Sequence, residues 1–390
     1  MEIPVLDCIF NASDPHASTL PLSPHLFPAA DQADIDLRIQ PLAQGTTNGL
    51  FKVTNRADAV LVKVYGDGTD ITIDRNKELR VHNLLAQRGL SSWPLVRFAN
   101  GHAYQFIHGR VCSEGDMSKT EIFRGVAREL ARWHALLPPV DVQGARKELH
   151  YEPSVWSTAR KWLKAISNGE KRSREEIEGL QEKFQYLTDK LLPTDVMPEP
   201  LVLGHGDLLC GNIIVQESAG SMGAVNGATD VATVRFIDYE HATYCPRAFE
   251  LANHFAEWTG FECDYNKLPS TSIRRAFIRE YLTAHSEVRR QHEPDSASCN
   301  GTKETTDLPT VTVTDAEVEK LMRQVDDYRG FPGFYWGLCA LIQAETATGT
   351  IDFDYAGYAQ KRFAEYEAWR KMQDSDNPGM PLREEIWARP

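Results

Sequence analysis

The sequence predicts an α+β chain of two lobes, a small strand-rich one followed by a larger, mainly helical one. Three observations predict it. Short runs rich in β-branched and aromatic residues crowd between residues 49 and 107. Apolar residues at helical spacing dominate after residue 119. A length of 390 residues is also more than one core usually serves. Residues 1–35 read as an N-terminal extension, 36–108 as the first lobe and 109–390 as the second. The junction falls near 106–112.

In chain order, Pro21, Pro24 and Pro28 are expected to break any helix in the extension. Gly49–Thr54 and Ala59–Tyr65 read as strands, with Asn55-Arg56-Ala57-Asp58 as the turn of a hairpin. Leu79, Val81, Leu84 and Leu85 predict an amphipathic helix over Asp74–Arg88. His102–Ile107 is a further strand, after which Gly109 marks the change to helical composition.

Val126, Leu130, Trp133 and Leu137 recur at helical spacing over Lys119–Leu137, and Pro138-Pro139 ends that helix. Another helix is expected over about Ser173–Leu191. The apolar runs Asn212–Val215 and Val234–Ile237 read as adjacent strands, joined by a polar, Gly-rich surface loop at Ser218–Asp230. Arg290–Thr310 is polar and a candidate for disorder, and helices then continue to about Met372.

A hydrophobic fraction of 42% and a charged fraction of 25% are ordinary for a soluble globular protein. The net charge of -13 argues against nucleic acid as a partner and favours a cationic one. Seven scattered cysteines without a CxxC pair fit free thiols in a reducing compartment. No secretory pattern and no run of transmembrane length is present, so the expectation is a cytoplasmic protein without membrane insertion.

The chemistry concentrates in Leu203-Gly204-His205-Gly206-Asp207-Leu208-Leu209-Cys210-Gly211-Asn212, followed by Val234-Arg235-Phe236-Ile237-Asp238-Tyr239-Glu240. An Asp, an Asn five residues on, and a second Asp ending an apolar strand meet the needs of Mg2+-dependent phosphoryl transfer from ATP. Asp207 can orient and deprotonate an attacking hydroxyl, while Asn212 and Asp238 hold the metal. His205 is expected to shape the loop. The bland alternative is a pair of loop carboxylates with Asn212 as a turn residue. A zinc site from His205, Asp207, Cys210 and His241 lacks a usual ligand spacing.

Upstream, Gln44-Gly45-Thr46-Thr47-Asn48-Gly49 is a turn whose N–H groups and hydroxyls could cover the phosphates, though it is no Walker loop. Gly45, Thr46, Thr47 and Asn48 are its candidate contacts. Lys63 ends an apolar strand, and Glu78 on the next helix could point it at the phosphates; a surface Lys and an unrelated Glu are the alternative. Gln105 and Ile107 at the junction could present backbone groups to adenine.

These segments together resemble the choline/ethanolamine kinase family, from about Leu42 to Met372. Gly204–Asn212 is similar to its catalytic loop, with Gly206 where the family usually has Asn, a change expected to loosen the loop. Ile237–Glu240 is similar to its metal-binding segment. Phe249–Trp258, Tyr335–Gln343 and Ile351–Ala359 carry the rest. The resemblance implies a protein-kinase-like two-lobe fold, with a nucleotide-binding first lobe and a catalytic, amino-alcohol-binding second lobe. It implies Asp207 as base, Asn212 and Asp238 as Mg2+ ligands, and Glu257, Trp336 and Tyr358 around a small cationic amino alcohol. Read alone, Trp336 and Tyr358 fit a helical core equally well.

The implied reaction is ATP-dependent phosphorylation of ethanolamine, first step of the CDP-ethanolamine route to phospholipid. A primary ammonium wants acceptors, whereas trimethylammonium wants a complete aromatic cage. Cys339 stands where choline-using relatives often have a second Trp, which favours ethanolamine over choline. The rivals are a choline or dual kinase, an aminoglycoside-type phosphotransferase, and a non-catalytic kinase-like binding protein. Residues 259–268 receive no role, and monomer and homodimer both stay open.

Overall fold

A computed structural model describes residues 3–31, 35–42, 48–66, 68–69, 71–137, 154–169, 171–192, 201–216, 231–292, 312–346, 353–374 and 379–390. Its first lobe is a six-stranded sheet in the order β1-β5-β6-β4-β3-β2. The strands are β1 (Val5–Leu6), β2 (Leu37–Leu42), β3 (Asn48–Asn55), β4 (Asp58–Tyr65), β5 (Pro94–Phe98) and β6 (Gly101–Gln105). All neighbours are antiparallel except β1, which runs parallel to β5.

The β3–β4 hairpin falls where β-branched alternation predicts it. Arg56 in its turn takes a φ of 55°, matching the twist that a tight hairpin needs. The helix expected after it is α3 (Arg75–Gln87), capped by Asp74, whose carboxylate accepts the Lys77 N–H at 2.9 Å.

Residues 3–31 differ from the expectation. Prolines were expected to break helices there, yet α1 (Pro15–Thr19) and α2 (Ser23–Leu26) each carry a proline in the first two positions. The missing N–H is harmless at those positions, because the first turn has no partner for it. Phe10, Leu22, Leu26 and Phe27 pack against Phe51, Val53, Val62 and Phe98, so this segment closes one face of the sheet.

The second lobe holds β7 (Arg110–Val111), β8 (Leu201–Gly204), β9 (Ile213–Val215), β10 (Val234–Phe236) and β11 (Thr243–Pro246). They form a three-stranded sheet in the order β10-β9-β7 and a β11–β8 pair. Gly109, just before β7, has a φ of 146°, and a Cβ there would lie 2.5 Å from the Val215 carbonyl oxygen. Only glycine lets the interlobe segment approach β9 so closely.

The helices are α4 (Thr120–Leu136), α5 (Ser154–Asn168), α6 (Arg174–Leu191), α7 (Arg247–Glu257), α8 (Thr271–His292), α9 (Asp315–Tyr328), α10 (Phe331–Thr346), α11 (Tyr355–Asp374) and α12 (Leu382–Trp387). Val126, Leu130 and Trp133 of α4 are fully buried, with α4 packed on α8 and on β8 and β10, as their spacing predicts. Trp133 also donates its indole N–H to the Leu203 carbonyl at 2.7 Å, fixing the strand that enters the loop bearing Asp207. A second apolar cluster joins α5, α6, α10 and α11. Arg290–His292, expected to begin a disordered insert, instead finish α8. Most of that insert, and all of Ser218–Asp230, lie outside the described residues. Among the described residues no helix is long and apolar enough to cross a membrane.

Candidate active site

The loop after β8 is built by bonds to its backbone. Glu250, one turn into α7, accepts the His205 N–H at 2.8 Å and the Gly206 N–H at 3.2 Å. Asn253 donates to the Gly206 carbonyl at 2.8 Å, and His254 pairs with the Leu208 carbonyl at 2.9 Å. One buried helix face thus grips three successive stretches of loop. His205 faces inward, its Nε2 3.0 Å from the Ile237 carbonyl, while its Nδ1 receives the Asp207 N–H at 3.4 Å. That pattern needs the proton on Nε2. Burial lowers the His205 pKa to about 3, so the ring is neutral and structural.

Gly206 takes a φ of 79°, and a Cβ would fall 2.4 Å from the His241 carbonyl oxygen. Glycine here admits a close approach between the loop and the segment after Asp238. The loop is tied rather than loosened, contrary to the expectation drawn from the missing side chain, because its anchors are backbone groups.

Asn212 donates its amide to the Asp207 carbonyl at 2.8 Å and to the Asp207 carboxylate at 3.1 Å. The Ile237 N–H donates to the Asn212 carbonyl at 3.0 Å, bringing the end of β10 beside the loop. Asp238 then leaves the strand with a φ of 66°, a left-handed conformation that costs energy for a residue with a Cβ.

Across the cleft, Lys63 Nζ lies 2.7 Å from Glu78, Asp238 and Glu240 alike. Burial works against its charge, but Asp238, Glu240 and Glu78 more than offset this and raise its pKa well above the ordinary value. Arg75 braces the cluster, 2.9 Å from Glu240 and 3.1 Å from Glu78, with its other nitrogen 3.0 Å from Asn48 Oδ1. Asn48 in turn donates to Glu240 at 2.9 Å. Burial also opposes ionisation of Glu240, yet Lys63 and Arg75 keep its pKa well below the carboxylate range. Sequence reasoning missed Arg75 as a partner and Glu240 as a functional group.

A cavity of about 560 Å³ runs between the lobes. Lys63, Ile107, Asp207, Asn212, Asp238, Glu257, Trp336 and Tyr358 all line it. Glu78 sits behind Lys63 as its ionic partner, and Asn48, also outside the cavity lining, is held by Arg75 and Glu240. Gln105 is exposed, outside the cavity lining, with its backbone N–H donated to the Trp93 carbonyl at 3.1 Å. Gly45, Thr46 and Thr47 fall outside the described residues. Leu42, Leu50, Leu61 and Phe106 form an apolar end suited to a purine ring. At the other end His241, Cys339 and Phe353 join Glu257, Trp336 and Tyr358.

The donor set fits a divalent cation. Burial, then Glu257, Asp238 and Glu240, raises the Asp207 pKa well above its ordinary value, which marks a surplus of negative charge. Asn212 bonds Asp207 through its amide nitrogen, leaving the amide oxygen as its side-chain acceptor, and the Asp238 carboxylate is 29% exposed, in the cavity. Two hard oxygen donors beside a cluster of carboxylates are what such an ion requires.

The sequence pattern of the choline/ethanolamine kinase family matches residues 39–367. The chain belongs to that family. Human ethanolamine kinase 1 is 31% identical over 381 residues, covering 94% of this chain and 75% of its own length. Among solved structures, an ethanolamine kinase of Plasmodium vivax superimposes with a TM-score of 0.70 at 22% identity, covering 96% of this chain and 91% of that one. A choline kinase of Cryptosporidium parvum gives 0.66 at 18% identity, covering 94% and 98%. These structures share the protein-kinase-like two-lobe fold, and membership of a kinase family implies a nucleoside triphosphate and a divalent metal.

Proposed function

We propose that this kinase transfers the terminal phosphoryl group of ATP, as its Mg2+ complex, to the hydroxyl of ethanolamine. The observation that carries the reading is one cavity lined both by Asp207, Asn212 and Asp238 and by Glu257, Trp336 and Tyr358. Human ethanolamine kinase 1, named for this substrate, supports the choice.

Asn212 and Asp238 would hold the metal, which supplies charge compensation to the phosphate oxygens. Lys63, fixed by Glu78 and Glu240, offers its ammonium to the phosphates. Asp207 orients the substrate hydroxyl and takes up its proton late in the reaction. The new bond joins the ethanolamine oxygen to the terminal phosphorus. The bond from that phosphorus to the bridging oxygen breaks, ADP leaves, and the proton passes to Asp207.

Glu257 accepts from the substrate ammonium while the faces of Trp336 and Tyr358 attract its charge. A carboxylate serves an N–H donor better than it serves trimethylammonium, so choline is the poorer substrate. As part of the same proposal the enzyme works in the cytoplasm, a placement supported by six free cysteines among the described residues.

A substrate panel with coupled ADP detection tests the reading. Ethanolamine should give the highest kcat/KM and choline a lower one. Turnover of an aminoglycoside without turnover of ethanolamine would contradict it.

A further inference from the structure

Glu257 ends α7 and meets Arg362 from α11. Arg362 Nη2 lies 3.1 Å from Glu257 Oε1, and its Nε lies 3.5 Å from Glu365 Oε2. All three side chains are buried, Arg362 completely. Among the described residues, none of the guanidinium nitrogens makes a well-angled hydrogen bond, and neither does Glu257 Oε1 or either Glu365 oxygen. Buried charges held mainly by proximity stabilise a fold poorly, and apolar replacements of such groups are often neutral or favourable. Stability alone does not explain this cluster.

Its position does. Glu257 and Tyr358 line the cavity, whereas Arg362 and Glu365 stand behind them. The Arg362 guanidinium carbon is 5.9 Å from the Tyr358 ring centroid, so one cation backs both the carboxylate and an aromatic wall. Two carboxylates against one guanidinium leave a net negative charge beside the cavity. A substrate ammonium is the complement of that charge.

We propose that Arg362 is a positioning residue for the ammonium subsite, holding Glu257 in place with Glu365 as its counter-charge, an inference that rests on the ethanolamine reading above. Without the guanidinium, Glu257 and Glu365 repel each other and Glu257 leaves its orientation. Ethanolamine, whose three N–H donors need a directed acceptor, then loses more than choline, which relies on ring faces.

The test measures kcat and KM for ethanolamine, choline and ATP in R362M, R362K and E365Q. R362M should raise the ethanolamine KM about tenfold, the scale of one charge-assisted hydrogen bond, and the choline KM by less. The ATP KM should stay within about twofold, since the nucleotide end is untouched. R362K, which keeps the charge, should recover part of the loss. If R362M does not fold, E365Q carries the test: it keeps Arg362 and the shape but removes the surplus charge, and should raise the KM of both cationic substrates while leaving the ATP KM within about twofold. An unmoved ethanolamine KM in the folded variants, or equal shifts for all three ligands, overturns the proposal. Wild-type turnover, measured first, separates the two claims: without ethanolamine turnover the substrate reading falls, whereas turnover with unmoved variants removes only the role of Arg362.

Discussion

The indole N–H of Trp336 donates to Asn253 Oδ1 at 2.8 Å, and the same Asn253 amide holds the Gly206 carbonyl from its other end at 2.8 Å. A wall of the proposed amino-alcohol subsite is therefore bonded, through one buried side chain, to the loop that carries Asp207.

Trp336→Phe keeps an aromatic face but removes the donor, leaving a buried acceptor unpaired at a cost of about 1–3 kcal/mol. The urea midpoint should fall, and kcat should fall with it because the loop loses a tether. A variant with unchanged midpoint and kcat would show that the link is idle.

Glu250 gives the clearest pH dependence. Burial pushes its carboxyl up to about 7, against the pull of the Gly206 and His205 N–H groups. The folded pKa lies above the ordinary 4.5, so between these values the native chain binds more protons than the unfolded one. Its contribution is full below about 4.5 and is lost as pH rises to about 7. Glu250→Gln cannot titrate. The stability of the natural chain relative to this variant should decline across that window in urea titrations, by a few kcal/mol at most. A difference independent of pH would refute the assignment.

Gly206→Ala places a Cβ where the His241 carbonyl lies and forces alanine into a left-handed conformation, which alone costs about 1–2 kcal/mol. Thermal stability and kcat should both drop. Gly206→Asn should lose less, because asparagine tolerates positive φ better. Alanine performing as well as glycine would mean that the close approach does not matter.

Cys339 lines the cavity beside the proposed amino-alcohol subsite and is buried. Cys339→Trp adds an aromatic face there, worth about 0.5–2 kcal/mol to a cation. The choline-to-ethanolamine ratio of kcat/KM should rise. A ratio that stays level or falls would remove the missing wall as the cause of selectivity.

What the sequence revealed follows the range of each signal. The β3–β4 hairpin, α3, α4 and the Asp207, Asn212 and Asp238 pattern were legible because each is encoded within a short window. The partnership of Arg75 with Glu240 was not, since their contact joins residues 165 apart: Glu240 lies in the Ile237–Glu240 segment, but nothing local to it names Arg75. Glu250, Asn253 and His254 act on backbone groups, so nothing at the loop positions they hold advertises them. Helix α5 could have been found: Val155, Trp156, Ala159, Trp162, Leu163 and Ile166 recur at helical spacing, and all are buried. The docking of Phe10, Leu22 and Phe27 onto the sheet depends on tertiary packing that overrides their proline-rich surroundings.

Ethanolamine-dependent ADP release by Asp207→Asn, compared with the unaltered enzyme at saturating ATP, bears most directly on the arrangement of Asp207, Asn212 and Asp238. Asparagine keeps the shape and the Asn212 neighbour but cannot accept the hydroxyl proton. The rate should fall by about a hundredfold or more, the usual contribution of a general base. A rate equal to that of the unaltered enzyme would contradict the account.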